Sequence, residues 1–404
     1  MIKPSNIKEI RRYSLLFAAV YMISYITRVN YGAIISEMEL STGYARSLLS
    51  VSLTGSFITY GIGQVVSGVC GDKFSPKKLV LLGLSVTVAM NALLPFCNNP
   101  YIMIAVWCVN GFAQSFMWPP LVRLMTELFS EKDYKKGATL VSIGGSIGTI
   151  LVYLISPLII AAFSWKAVFI FSALCGLVMI FVWQKYCCEL EVSSAKCEKK
   201  EHSHAAASQI LVGGLMLPII LAIIFQGMLK DGVTTWMPSY ISETYEISNL
   251  ISILSGVILP VFGIICVQAA SKIYIKYLKN PLICAGAFFF GAALSAGALC
   301  LFNGKNSMLS VVLSALLTGC IHGVNFILTS MLPPFFKKYG NVSTVSGLLN
   351  ACTYIGSAVS TYGIALLSEN SGWGVTLITW LIIASAGAVI SFLCGRPWKN
   401  KMMD

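Results

Sequence analysis

Charged side chains are scarce in this 404-residue sequence: Asp, Glu, Lys and Arg make up 11% of the residues, whereas 56% are hydrophobic. Soluble domains carry about a quarter charged residues, so this chain cannot cover a soluble surface of the expected size. Apolar runs of about 18 residues or more are long enough to cross a bilayer, and such runs fill most of the sequence. The composition therefore excludes a soluble globular protein and predicts an integral membrane protein.

Histidine is also rare, with three residues, and the thirteen cysteines are scattered, mostly within the apolar runs. The sequence shows no cluster of metal ligands, no phosphate-cradling Gly-Lys loop and no nucleophile with a matching base. His202 and His204 form an isolated H-x-H pair, which we interpret as part of a solvated segment because metal sites need more ligands. We therefore expect no enzyme activity, no cofactor, no bound metal and no disulfide.

Twelve apolar stretches predict an all-α fold with twelve transmembrane helices. Residues 189–209 form the only long polar stretch between these helices, and we interpret this stretch as a flexible cytoplasmic linker. It separates two blocks of six helices, residues 1–188 and residues 210–404. Two such bundles with inverted repeats are typical of secondary transporters. The predicted helices begin near Tyr13, Ser47, Leu79, Tyr101, Gly137, Ala167, Ile210, Leu250, Pro281, Ser307, Val342 and Gly374.

Lys and Arg are distributed unevenly between the two sets of loops. The termini and the even-numbered loops hold 23 of the 28 Lys and Arg residues, whereas the opposite loops hold Arg46, Lys166 and Lys305. Because cytoplasmic loops carry the excess of positive charge, both termini are predicted to be cytoplasmic in a multi-pass protein of the cell membrane. The net charge of +12 is then a topology signal and does not indicate nucleic-acid binding. The first apolar run is too long for a cleavable signal, so we expect it to remain as a helix.

Two cations interrupt these apolar runs. Arg28 lies near the middle of the first run, and Lys230 repeats the pattern in the first helix of the second block. A charged side chain at bilayer depth costs roughly 2.5–3.5 kcal/mol even on the lenient insertion scale, so it usually faces a protein interior or a water-filled cavity. One buried cation in the opening helix of each block predicts a central pathway that takes an anion.

Aromatic and amide side chains accompany Arg28 at helical spacing. Tyr21, Tyr25 and Arg28 follow an i, i+4, i+7 pattern and share one face of the first helix. Tyr60 and Gln64 form an i, i+4 pair on the second helix. These residues are candidate substrate contacts, with ordinary packing as the alternative for each tyrosine.

Three polar residues of the second block are candidates for coupling. Asp231 follows Lys230, and neighbouring residues point about 100° apart on a helix. We therefore expect Asp231 to neutralise a cation on another helix rather than Lys230, or else to carry a proton. His322 and Asn325 share one face of the tenth helix, where a titratable His could carry a coupling proton; a hydrogen-bonded packing role is the alternative.

The loop after the second helix reads Gly68-Val-Cys-Gly-Asp72-Lys73-Phe-Ser-Pro-Lys77-Lys78. Asp72 is placed to accept hydrogen bonds from neighbouring helix ends, and the lysines hold the turn at the anionic leaflet. The pattern G-x-x-x-D-[RK]-x-[GS]-x-[RK]-[RK] resembles the hallmark loop of the major facilitator superfamily. We interpret it as a loop that takes part in conformational change.

Longer strings resemble one branch of that superfamily, the organophosphate:phosphate antiporter family, which includes glycerol-3-phosphate and hexose-phosphate transporters. The strings are YMISYITRVNY, TYGIGQVVSG, NGFAQSFMWPPLVR and LKDGVTTWMPSY, of which the third, from Asn110 to Arg123, is the most specific. The resemblance implies that Arg28 grips a phosphate, with Tyr21, Tyr25, Tyr60 and, on the eleventh helix, Tyr354 around it.

The sequence departs from that family at three places. Lys230 stands where the family has a second arginine, and Lys binds as a point charge without the bidentate fork of Arg. Gln64 stands where the glycerol-phosphate members have a lysine. Small residues near Gly144 stand where they have a histidine. The predicted pocket is therefore less basic, which makes a carboxylate or a singly charged substrate more plausible.

Together these features predict a monomeric carrier of a small organic anion, an organophosphate or a sugar acid. Arg28 and Lys230 are expected to bind the anion during alternating access, with exchange against inorganic phosphate or another anion. A proton- or cation-coupled symporter is the alternative, and a membrane sensor that binds ligand without transport is a further one.

Overall fold

The computed structural model describes residues 7–44, 46–187, 215–246, 258–339 and 341–403. These residues are helical apart from short turns, and none of them lies in a strand. The predicted linker, residues 189–209, lies outside the described residues, as do the predicted starts of the seventh helix near Ile210 and of the eighth helix near Leu250.

The first half of the described chain contains eight helices. They are α1 (Ile7–Ala33), α2 (Ile35–Thr42), α3 (Arg46–Lys73), α4 (Pro76–Leu93), α5 (Pro100–Gln114), α6 (Trp118–Leu128), α7 (Glu131–Ala162) and α8 (Trp165–Cys187). The second half contains α9 (Met216–Tyr245), α10 (Ile258–Lys276), α11 (Pro281–Phe302), α12 (Ser307–Phe326) and α13 (Val342–Trp398). A π turn, Ile327–Met331, and a 3-10 segment, Pro333–Tyr339, follow α12.

Local sequence explains where several helices begin and break. Pro76 occupies the first position of α4, where its missing N–H costs nothing. Asn280 caps α11 by accepting the Leu282 and Ile283 backbone N–H groups. Gly372 interrupts α13 with φ of 75° and ψ of 175°, a conformation that glycine adopts without a Cβ penalty. The break separates two membrane-length parts of α13.

Contacts between Cα atoms divide the chain into two compact units. Unit one comprises Met1–Lys199 together with Phe336–Ala351, and unit two comprises Lys200–Phe335 together with Cys352–Asp404. Within unit one, α1 packs against α7 and α3 packs against α5. Within unit two, α12 packs against α9, α10 and α11.

Glycines allow the closest of these helix contacts. A Cβ at Gly144 of α7 would lie 2.6 Å from the Ala18 carbonyl oxygen of α1, and one at Gly148 would clash with the Met22 carbonyl. In unit two, a Cβ at Gly227 of α9 would clash with the Thr353 carbonyl of α13. The small residues of the predicted fifth helix therefore serve close packing in a membrane, as small residues commonly do.

Nine helical segments in the described part of the chain are long and apolar enough to cross a membrane, judged by length and composition. Of the long helices, α1, α3 and the part of α13 before Gly372 miss this criterion. With these three, the described helices follow the predicted order of twelve. The same three carry Arg28, Tyr60, Gln64 and Tyr354 among the candidate site residues.

Candidate functional site

Arg28 lies against two tyrosine rings within unit one. Its guanidinium carbon is 4.3 Å from the centroid of the Tyr25 ring and 4.8 Å from that of the Tyr60 ring. A cation over an aromatic face gains about 0.5–2 kcal/mol, more where water is excluded. Tyr60 is 3% exposed, whereas Arg28 is half-buried. The rings hold Arg28 in place and leave it partly accessible, which suits a residue that meets a ligand.

Tyr21 completes an aromatic wall around Arg28. The Tyr21 ring lies 5.1 Å from Tyr25 and 5.0 Å from Trp118, the first residue of α6. Gly145 of α7 faces both tyrosines, since a Cβ there would lie 2.9 Å from Tyr25 and 3.1 Å from Tyr21. Glycine at this position therefore provides the space that the two rings occupy.

Gln64 has a different environment from the tyrosines. It is fully buried, its Nε2 donates to the Ser115 carbonyl at 3.4 Å, and its Oε1 accepts from Asn350 Nδ2 at 3.1 Å. Both ends of the amide are thus engaged by α3's neighbours within unit one. These bonds account for Gln64 as a packing residue, and its predicted role as a substrate contact stays a prediction.

Lys230 forms the centre of a polar cluster within unit two. Its Nζ lies 5.7 Å from the centroid of the Tyr354 ring and 3.5 Å from Asp231 Oδ1. The Ser357 hydroxyl donates to Asp231 Oδ2. The side chains of Lys230 and Asp231 keep 18% and 33% of their exposure, so the pair is partly solvated.

The expectation that Asp231 would not pair with Lys230 is wrong. The two side chains do leave α9 in different directions, but the four-carbon stem of lysine is long enough to bring its ammonium back to the adjacent carboxylate. The helical angle alone was a poor guide because it describes Cβ directions and not the reach of the charged groups.

His322 and Asn325 lie on α12 near this cluster. His322 packs against Gly263 of α10, where a Cβ would be 3.3 Å from the imidazole. The Asn325 carbonyl accepts the Thr329 hydroxyl at 2.7 Å, and its side-chain Oδ1 is buried without a partner among the described residues. His322 thus lies on α12, which packs against α9, the helix that carries Lys230 and Asp231.

Asp72 joins the end of α3 to the start of α13, both in unit one. Its Oδ1 accepts the Ser343 backbone N–H at 2.9 Å, and its Oδ2 accepts the Thr344 N–H at 2.6 Å. A carboxylate at the first turn of a helix satisfies unpaired N–H groups and the positive end of the helix dipole. Gly68 permits this approach, because a Cβ there would lie 2.9 Å from the Ser343 carbonyl oxygen. The expectation that Asp72 accepts hydrogen bonds from a neighbouring helix end is confirmed.

The basic residues of the same loop are placed differently from Asp72. Lys73 and Lys78 are exposed and Lys77 is half-buried, with its carbonyl accepting Trp183 Nε1 at 3.2 Å. Arg123 of α6, which is 8% exposed, donates to the Phe74 carbonyl at 3.3 Å and pairs with Glu127 at 2.6 Å. The loop is therefore held from α6, while Lys73 and Lys78 face outward.

Sequence reasoning missed several residues around Arg28. Trp118 and Gly145 shape the aromatic wall, and a group of buried amides surrounds Thr27, the residue before Arg28. A signal was present, because Asn110 and Gln114 are spaced i, i+4 in the most specific of the quoted strings. Polar side chains at one helical face within a membrane mark a hydrogen-bonded contact.

A sequence profile described as Major Facilitator Superfamily matches residues 17–361 of the chain. Because the match covers most of the sequence, the chain belongs to the major facilitator superfamily and is a multi-pass membrane protein. The fold agrees. The proton:xylose symporter XylE, in complex with 6-bromo-6-deoxy-D-glucose, superposes with a TM-score of 0.75 at 12% identity, covering 98% of this chain and 96% of that one. FucP in its outward conformation also gives 0.75 at 12% identity, covering 96% and 99%.

Curated relatives narrow the branch of the superfamily. The glycerol-3-phosphate transporter of Bacillus subtilis (strain 168) is 23% identical over 91% of this chain and 88% of its own length. The membrane sensor protein UhpC of Escherichia coli (strain K12) is 21% identical over 96% and 92%. A probable hexose phosphate transport protein of Chlamydia muridarum is 25% identical, and the match spans 42% of this chain and 37% of that relative. These relatives match the organophosphate:phosphate antiporter family that the sequence resembles.

Proposed function

We propose that this protein is a secondary active transporter that moves a small organic anion across the cell membrane by alternating access, in exchange for another anion. The observation that carries the proposal is Arg28, a cation within the first predicted membrane helix that lies on two tyrosine rings and remains partly exposed. An arginine in that position binds carboxylate or phosphate through parallel N–H groups. No other role accounts as well for its cost in a membrane.

Lys230 supplies the second cation of the proposed mechanism. It is partly exposed beside Tyr354, and the Asp231 carboxylate balances its charge. An anionic cargo can therefore bind Lys230 in place of that carboxylate. Arg28 and Lys230 each bind the anionic cargo, and their attraction to it favours the conformation in which cargo is enclosed. Without cargo, the two cations resist that conformation, which makes crossing depend on exchange.

The names of the relatives support an organophosphate or a similar anion as cargo. The relative from Bacillus subtilis is named for glycerol 3-phosphate and the chlamydial one for hexose phosphate. The candidate residues of this chain include fewer cations than the family pattern implies, because Gln64 and Gly145 are uncharged. We therefore include a sugar acid beside phosphate esters as a cargo class.

The test is counterflow in proteoliposomes with labelled inorganic phosphate, glycerol 3-phosphate and gluconate. Removal of one charged hydrogen-bond partner costs about 1.5–3 kcal/mol, so Arg28→Ala and Lys230→Ala should each lower exchange at limiting anion by about 10- to 100-fold. Lys166→Ala is the matched control, since Lys166 lies 5.7 Å from the Trp165 ring, outside the candidate site. Wild-type exchange in both site variants would refute the proposal.

Proton-coupled symport is the second candidate function. It is favoured by His322, a titratable side chain on α12, which packs against α9, the helix that carries Lys230 and Asp231. A titrating group at this position would change the charge seen by an incoming anion. Uptake that follows an imposed proton gradient and needs no anion on the opposite side would support symport over exchange.

A sensor that binds ligand without transport is the third candidate, because the UhpC relative matches nearly the full chain and is named as a membrane sensor. Saturable anion binding together with no counterflow for any of the three anions would favour this function.

For each of the three candidate functions, we propose that both termini are cytoplasmic and that the Gly68–Lys78 loop, through Asp72, takes part in conformational change.

A further inference from the structure

Thr27, the residue before Arg28, accepts hydrogen bonds from carboxamide side chains of two other helices. Its carbonyl oxygen accepts Asn91 Nδ2 of α4 at 3.0 Å and Asn110 Nδ2 of α5 at 3.2 Å. Its hydroxyl accepts Gln114 Nε2 of α5 at 2.8 Å and donates to the Ile23 carbonyl at 2.9 Å. Three amides therefore converge on one residue of α1.

Asn30 provides a second attachment on the other side of Arg28. Its Nδ2 donates to Asn91 Oδ1 at 2.8 Å and to Ser172 Oγ of α8 at 3.0 Å. Its Oδ1 accepts the Tyr31 backbone N–H at 2.9 Å. Thr27, Asn30 and Asn91 are fully buried. Helices α4, α5 and α8 thus hold α1 one residue before and two residues after Arg28.

These amides are costly as ordinary core residues. Among the residues that the structure describes, the Asn110 Oδ1 and Gln114 Oε1 atoms are buried with no hydrogen-bond partner. Each buried unsatisfied acceptor costs about 1–3 kcal/mol, and an apolar side chain of similar size would avoid that cost. The amides are therefore best explained by what their nitrogens do, and both nitrogens bond to Thr27.

We propose that Asn91, Asn110 and Gln114 are positioning residues for anion binding, which fix α1 at Thr27 and thereby set the place of the Arg28 guanidinium. The proposal rests on the proposed role of Arg28 as an anion-binding residue. It also gives a role to the most specific string of the sequence. In N-G-x-x-Q, Asn110 and Gln114 grip Thr27, and Gly111 lets α5 approach Ser56 of α3, where a Cβ would clash with the backbone.

Position matters because a binding group must meet its ligand within a narrow range. A misplacement of about 1 Å can cost a factor of about 100 in a site that depends on orientation. Side chains project outward from the helix axis. Even a small rotation of α1 about its axis would therefore move the guanidinium away from the Tyr25 and Tyr60 rings. The grip on Thr27 opposes such a rotation.

The test compares Gln114→Met, Thr27→Val and the double variant. Either single substitution removes the hydrogen bond from Gln114 Nε2 to the Thr27 hydroxyl. The double variant should therefore bind anion no more weakly than whichever single variant has the lower affinity. We expect about 10-fold weaker binding in all three, measured with whichever of phosphate, glycerol 3-phosphate and gluconate the wild type exchanges. Hydrogen exchange of peptides covering residues 24–31, without any anion, should be faster in all three variants.

Asn280→Leu is the matched control for a purely structural role. Asn280 is also a buried amide that links two helices, through Nδ2 and the Gly395 carbonyl at 2.7 Å, but it belongs to unit two. We expect it to lower the melting temperature and to leave anion affinity unchanged. If Gln114→Met and Thr27→Val behave like Asn280→Leu, with a lower melting temperature and wild-type affinity, the positioning role is refuted.

Arg28→Ala, measured in parallel, separates the two proposals. One outcome would overturn the positioning role alone. Arg28→Ala would bind anion weakly, whereas the Thr27 and Gln114 variants would show normal anion binding and normal hydrogen exchange of residues 24–31. Normal binding in Arg28→Ala would overturn the proposed role of Arg28. The positioning role would fall with it, even if the peptide exchange showed that the amides hold α1.

Discussion

Replacement of Asp72 by asparagine should loosen the start of α13 from the end of α3. In the wild type, the two carboxylate oxygens accept the Ser343 and Thr344 N–H groups at 2.9 and 2.6 Å. Hydrogen bonds to a charged group contribute about 1.5–3 kcal/mol each. Asparagine keeps one neutral acceptor, worth about 0.5–1.5 kcal/mol, and lacks the favourable charge at the helix N-terminus.

Because Asp72 is half-buried, solvent screening places the expected loss near the lower end of this range, at about 2 kcal/mol. At about 1.4 kcal/mol per factor of ten, this corresponds to a roughly 30-fold larger equilibrium constant for opening of the contact. The amides of Ser343 and Thr344 report that opening, since their hydrogens are the ones bonded to the carboxylate.

Hydrogen exchange mass spectrometry of the purified protein, on peptides that contain Ser343 and Thr344, measures the effect. Asp133→Asn is the matched control, because Asp133 is also an acid in the first turn of a helix but is bonded to the Ser130 side chain at an exposed position. Exchange at Ser343 and Thr344 that is unchanged in Asp72→Asn, or changed equally in Asp133→Asn, would refute this account of the contact.

Three further substitutions test the surroundings of the candidate site. Gly145→Ala should displace the two tyrosine rings of α1 and weaken anion binding about 10-fold, whereas Gly297→Ala, with its nearest neighbour at 3.9 Å, should bind normally; equal binding in both would contradict the packing argument. Asp231→Asn should tighten anion binding about two- to fivefold by freeing Lys230 from a partly solvated partner, and weaker equilibrium binding would count against this. Arg123→Lys should lower the melting temperature, because lysine cannot supply the same forked donors; an unchanged melting curve would argue that the loop is held in another way.

The sequence predicted the face of α1 that carries the candidate site, because that face depends only on helical spacing. Tyr21, Tyr25 and Arg28 follow an i, i+4, i+7 pattern, and the structure has Arg28 on the Tyr25 ring. The order of twelve helices followed for a similar reason, since a bilayer demands apolar segments of one length. Both predictions rest on local rules that need no knowledge of tertiary contacts.

Contacts between helices could not be predicted in the same way. That Tyr60 meets Arg28, or that Asp72 meets Ser343 and Thr344, depends on the relative height and rotation of helices that are distant in sequence. The pairing of Lys230 with Asp231 was mispredicted because a rule about backbone direction was applied to a long, flexible side chain. Helical spacing thus gives directions, whereas side-chain reach and helix packing decide partners.

Equilibrium binding tests the central claim most directly, because it does not require the protein to turn over. Binding of a labelled anion to purified wild type, Arg28→Gln and Lys230→Gln, with Lys166→Gln as control, can be measured by scintillation proximity. We predict that each site variant binds about 10-fold or more weakly while the control matches the wild type. Affinity equal to the wild type in both site variants would contradict the claim that these two cations bind the cargo.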